Sequence, residues 1–182
     1  MLNINTTKSD RIVQKYFQNE SKYLRKIQEF SGILKTTPEN IFPLLCPTRE
    51  ADWIPGWDSE LIYTESGYAE DKCVFRTDKS NSAGEGLWIF TGFKPNEYVE
   101  FVRFQQDLII HCRIDLTQNK DGTTTATWKT ISTALTEKGN STIKSMTDKK
   151  HNPVIHLMDY YLKNGKIISK SLLIKNKIHG QH

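Results

Sequence analysis

An antiparallel sheet curved around a C-terminal helix, an α+β architecture, is what this sequence predicts, and three features predict it. From Ser59 to Leu135 the chain is an almost unbroken series of alternating strand patterns. Ahead of them lies an irregular corner at residues 46–57, C-P-T-R-E-A-D-W-I-P-G-W, where Pro47 and Pro55-Gly56 interrupt helix and strand alike. Behind them, Val154, Leu157, Met158, Tyr161 and Leu162 share one side of a helix.

In chain order, residues 10–18 form a short helix, with Ser9 as N-cap and Ile12, Val13, Tyr16 and Phe17 at helical spacing. Residues 23–34 read as a strand. Thr37-Pro38-Glu39-Asn40 then opens a short helix carrying Ile41, Phe42, Leu44 and Leu45, because proline suits a first turn whose N–H has no partner. After the corner come six strands, at about 60–64, 72–78, 87–93, 98–105, 108–116 and 124–135. Pro95-Asn96 suits a tight turn, and Asp121-Gly122 predicts a two-residue hairpin with a primed turn. Residues 79–86, K-S-N-S-A-G-E-G, are polar and lack apolar anchors, so they are expected to form a mobile loop. Asn140-Ser141 is expected to cap a helical piece with Ile143 and Met146, Asn152-Pro153 to start the final helix, and Asn164-Gly165 to end it with a left-handed cap. The domain is therefore expected at 22–166, between an N-terminal helical extension (1–21) and a basic tail (167–182).

With 182 residues the chain suits one core. The polar N-terminus and the lack of a long apolar run predict a cytoplasmic protein. In that setting the sequons at Asn5, Asn19 and Asn140 have no use. Cys46, Cys73 and Cys112 are odd in number and lack paired spacing, so buried free thiols are expected, with neither disulfide nor zinc site. The net charge of +4 resides in the tail, where Lys166, Lys170, Lys175 and Lys177 stand without an acid. The body is balanced and shows no clustered basic face, which argues against nucleic-acid binding. A helical tail would carry Ile167, Ser171, Ile174 and Ile178 as a stripe beside those lysines, yet no membrane contact is expected of it.

The chain resembles the START-related superfamily that includes the birch-pollen allergen and the polyketide cyclases, in an uncharacterised bacterial branch. The residues that carry this are F-P-L-L-C-P-T-R-E-A-D-W-I-P-G-W from Phe42, E-L-I-Y-T-E-S-G from Glu60, V-E-F-V-R-F from Val99, D-G-T-T-T-A-T-W from Asp121, T-A-L-T-E-K-G-N from Thr133 and Y-Y-L-K-N-G-K from Tyr160. They span about residues 24–166. The resemblance implies the helix-grip fold, a curved sheet of about seven strands around a long C-terminal helix, with a ligand cavity between them. It implies binding or carriage of a small hydrophobic or amphipathic molecule, or alternatively a cavity-based polyketide cyclase or dehydratase-type lyase. No cofactor, metal or nucleic acid is expected, a homodimer stays open, and so does catalysis.

If Trp128 faces inward, the strand period places Ala126, Thr130 and Ser132 with it, a set that leaves room. Trp88, Phe90, Val99, Phe101, Ile110, Cys112 and Ile114 are the neighbouring inward positions. The same set equally describes an ordinary core. Arg49-Glu50 is either a pair that orients a ligand or one that pins the corner. Arg103 shares a face with Phe101, so a guanidinium directed inward requires a carboxylate from the protein or from a ligand, unless a bulge turns it outward. Trp53 and Trp57 either line the cavity mouth or lock the corner. His111 and Cys112 project to opposite faces, and His151 and His156 lack ligand spacing. The candidate ligand-binding residues are Arg49, Glu50, Trp53, Trp57, Trp88, Phe90, Phe101, Arg103, Cys112, Trp128, Met158 and Tyr161, with no catalytic residue assigned.

Overall fold

The structure, a computed structural model, describes residues 22–146 and 153–169. The helix expected at 10–18, the Asn152 cap, His151 and the tail beyond 169 lie outside the described residues. Seven antiparallel strands form a single sheet in the order β1-β7-β6-β5-β4-β3-β2: β1 (Arg25–Leu34), β2 (Glu60–Tyr63), β3 (Val74–Thr77), β4 (Gly86–Lys94), β5 (Tyr98–Phe104), β6 (Leu108–Gln118) and β7 (Thr124–Ala134). Chain neighbours pair throughout from β2 to β7, and the first strand closes on the last. Between β1 and β2 run α1 (Pro38–Ile41), a 3₁₀ turn (Phe42–Leu45) and α2 (Pro47–Glu50). After β7 come α3 (Glu137–Ser145) and α4 (Pro153–Asn164). Among the described residues no helix is long and apolar enough to cross a membrane.

The register puts the expected inward residues on one face. Phe30, Trp128, Ile114 and Val99 form one cross-strand row, and Thr130, Cys112, Phe101 and Phe90 the next. Helix α4 packs on this face at its smallest side chain. A Cβ on Gly32 would lie 2.5 Å from Ile155 Cγ2, and Ala126 is Gly32's neighbour on β7. Met158, one turn further along α4, is completely buried.

Several local expectations change. The tryptophan corner contains the helical turn α2, because Pro47 occupies the first helical position, where a missing N–H costs nothing. Trp53 Nε1 donates to Leu44 O at 2.8 Å and Trp57 Nε1 to Pro47 O at 2.7 Å, so both indoles lock the corner to the preceding turns. Helix α3 starts earlier than expected: Thr136, not Asn140, caps it by accepting from Gly139 N, which frees Asn140 to hold Leu24 N and Lys22 O. In the β6–β7 hairpin only Gly122 takes positive φ (+80°), and Gly122 N donates to Asn119 O. This is a longer loop with one left-handed residue, not a two-residue primed turn. Asn96 supplies the positive φ (62°) after Pro95, and Gly165 (63°) ends α4 with its N–H on Tyr161 O.

Gly32→Ala is expected to destabilise the fold by about 1–3 kcal/mol, the cost of overpacking a close helix–sheet contact. Urea unfolding checks it. Combining Gly32→Ala with Ile155→Ala should cost less than the sum of the single changes, and strict additivity would remove this contact as the cause.

Candidate functional site

Arg103 faces inward from β5 and is only 7% exposed. Its guanidinium stacks on Trp88, 4.5 Å from the ring centre. Trp88 is in turn stacked on Phe75 at 5.2 Å and met edge-on by Trp57. Among the described residues no carboxylate pairs with Arg103. Instead Nη2 donates to the carbonyls of Ala83 (2.5 Å), Gly84 (2.9 Å) and Glu85 (3.2 Å). A Cβ on Gly86 would stand 2.6 Å from Nε, so glycine at this position lets the strand pass over the guanidinium. The loop at 79–86 is thus tied down rather than free. Thr77 Oγ1 donates to Gly84 O while accepting from Trp88 Nε1, Ser82 N donates to Gly56 O, and Asn81 Nδ2 donates to Asp58 O. Burial, unopposed by any acid, lowers the Arg103 pKa to about 10.

Arg49 and Glu50 do not form a pair. Neighbouring residues on a helical turn point about 100° apart. Arg49 projects outward to Asp52 (2.6 Å), while Glu50 is half-buried. Desolvation is the main influence on the Glu50 carboxyl and raises its pKa well above the ordinary carboxylate range, with Cys46 adding to the effect. The Cys112 thiol, on the central row of the inner face, is pushed up by burial and by the nearness of Glu50. Glu50 therefore stands between Cys46 on one side and the middle of the sheet on the other.

The inner face also carries polar groups that the protein leaves unanswered. The side chains of Glu50, Thr130 and Ser132, and Nη1 of Arg103, make no hydrogen bond among the described residues. They are not sealed in, because Arg103 Nε is the one buried, partnerless side-chain nitrogen or oxygen there. Phe101, Ile110 and Thr130 are only half-buried although they occupy the middle of the sheet. Beside this face, under the 3₁₀ turn and α2, is a cavity of about 250 Å³ lined by Phe42, Leu45, Cys46, Arg49, Phe93 and Val99. A larger groove of about 700 Å³ is open to solvent at the sheet's far edge, along Ile62, Leu87 and Phe104. The smaller cavity is the better candidate site, since its apolar walls and enclosure suit a small ligand.

Of the residues singled out from sequence, Trp88, Phe90, Cys112, Trp128 and Met158 are buried on the inner face or against it, with Phe101 half-buried among them. Arg49 lines the cavity, Tyr161 packs on the rim of the core, and Trp53 and Trp57 hold the corner. Sequence reasoning missed Cys46, Phe42, Leu45 and Phe93 as cavity walls. The segment F-P-L-L-C-P signals a turn, and nothing in its pattern says which strand end it will cover. His111 faces outward and pairs with Glu100 (3.0 Å), on the face opposite Cys112. All three cysteines are free and buried.

No protein-family model matches the sequence, and no curated protein matches it. Solved structures do match. Norcoclaurine synthase from Thalictrum flavum superposes with a TM-score of 0.57 at 12% identity, over 78% of this chain and 86% of that one. A protein of Mesorhizobium loti gives 0.54 at 11%, over 76% and 97%. Ara h 8.0201 gives 0.50 at 13%, over 77% and 99%. Identities this low carry the fold alone, and that fold is the helix grip, a curved antiparallel sheet with a C-terminal helix packed on it.

A carboxyl whose folded pKa lies above its unfolded value of about 4.3 binds more protons in the native state, so stability falls as pH rises past that value. Glu50→Gln, which cannot ionise, should therefore melt higher than wild type near pH 8, and the two should coincide near pH 3. Thermal melts that stay parallel across this range would place the Glu50 carboxyl in water.

Proposed function

We propose that this helix-grip protein binds a small amphipathic molecule in the interior between its sheet and its helices. The supporting observation is the set of inner-face polar groups without protein partners: Glu50, Thr130, Ser132 and Arg103 Nη1. None of the four is sealed from solvent, so a guest that displaces the water must answer them, because each unmade bond would cost about 1–3 kcal/mol. Several in one interior, with a 250 Å³ apolar cavity beside the helical turn that carries Glu50, are what a site for a partly polar guest requires.

A second reading, a cavity-based cyclase or dehydratase-type lyase, draws on Glu50. A desolvated carboxyl that holds its proton to higher pH can donate it to a bound substrate and take it back. One structural neighbour, norcoclaurine synthase, is an enzyme by its name.

A naphthalene-type fluorescent dye should bind with a stoichiometry near one and be displaced by lipophilic compounds. Thr130→Leu together with Ser132→Val fills the interior and should abolish binding while the far-ultraviolet circular dichroism is unchanged. Undiminished binding by the filled variant would exclude the interior as the site. Turnover that disappears in Glu50→Gln with affinity retained would decide for the lyase.

A further inference from the structure

The cross-strand row Lys26, Ser132, Ile110, Arg103, Trp88 runs over the inner face from β1 to β4. It holds two cations and a hydroxyl, and no acid. Lys26 Nζ donates to Met146 O at 2.5 Å. Arg103 and Ser132 are each more than nine-tenths buried, at 7% and 5% exposure. The three carbonyls on Nη2 satisfy hydrogen bonds but supply no neutralising charge, and no carboxylate lies within 4.0 Å of the guanidinium among the described residues. Both N–H groups of Nη1 are uncommitted, and the guanidinium that carries them lies over Trp88 on β4, against which Phe101 packs. Breaking a buried charge pair is costly because the remaining ion is uncompensated, and Arg103 stands in that condition permanently.

We infer that the guest of this interior carries a carboxylate, which pairs with Arg103 through Nη1, while its apolar part lies along Phe101 and Trp88. This rests on the binding function proposed above. The charge selects the class. An amine would add a second cation beside Arg103, and a phosphate dianion bound there would leave one negative charge unpaired, because Lys26 stands three strands away on β1. A carboxylate matches the guanidinium one to one and in shape.

Matched probes test it: 4-phenylbutyrate and 4-phenylbutanol, titrated calorimetrically into the full chain at pH 7.5. Wild type should bind the acid at least about tenfold more tightly than the alcohol, the worth of a charge-assisted hydrogen bond. Arg103→Met should bring the two within about threefold, chiefly by losing acid affinity. Arg103→Lys, which keeps a cation at this position, should retain part of the acid preference. Equal wild-type affinities overturn the inference and leave the binding function standing, as does an acid preference that survives Arg103→Met. Binding of neither probe, with no dye bound either, overturns the binding function itself.

Discussion

A guanidinium taken out of water must be given oxygen, and Arg103 takes it from the main chain. Three consecutive carbonyls, Ala83 to Glu85, converge on one nitrogen, so the polar loop between β3 and β4 cannot move without stranding a buried charge. The same loop is bonded to Gly56 and Asp58, which ties the tryptophan corner to the sheet. Trp88 completes the arrangement, stacked beneath Arg103 and above Phe75 while its indole N–H reaches Thr77. One cation thus couples loop, corner and strand ends.

At the other end the constraint is volume. Gly32 and Ala126 are small, so α4 descends until Ile155 meets the backbone of β1 and Met158 is wholly enclosed. Further along the sheet Thr130 and Ile110 are half-buried, while Cys112 between their strands is enclosed. The small and hydroxylated side chains of β7 contribute twice, by admitting the helix at one end and by leaving polar atoms unanswered further along.

Stability and binding oppose each other at Glu50. A half-buried carboxyl without a protein hydrogen-bond partner, its pKa raised, lowers native stability above its unfolded pKa, and a glutamine would avoid the cost. Groups retained against stability cluster where a ligand or a reaction needs them. The outer face shows the contrast: Glu100 there is held ionised by His111 and Arg113, and its depressed pKa favours the fold at all but acidic pH.

The amino-acid sequence by itself determined the order of elements, the antiparallel meander, the inward set Trp88, Phe90, Phe101, Cys112 and Trp128, and the left-handed cap at Gly165. These follow from periodicity and from backbone chemistry, both local in the chain. It also placed a cation on the inner face, because alternation along β5 assigns Arg103 to the side of Phe101. Only the tertiary structure decided what answers that cation, because carbonyls 18 to 20 residues away carry no side-chain signature. The fate of Arg49-Glu50 was likewise undecided in sequence. Adjacency suggests a pair, whereas a single turn of helix beginning at Pro47 sends one residue to Asp52 and the other toward Cys112. The cavity under the 3₁₀ turn and α2 is made by a segment folding over strand ends that lie some 50 residues further along the chain, a juxtaposition that no local pattern encodes.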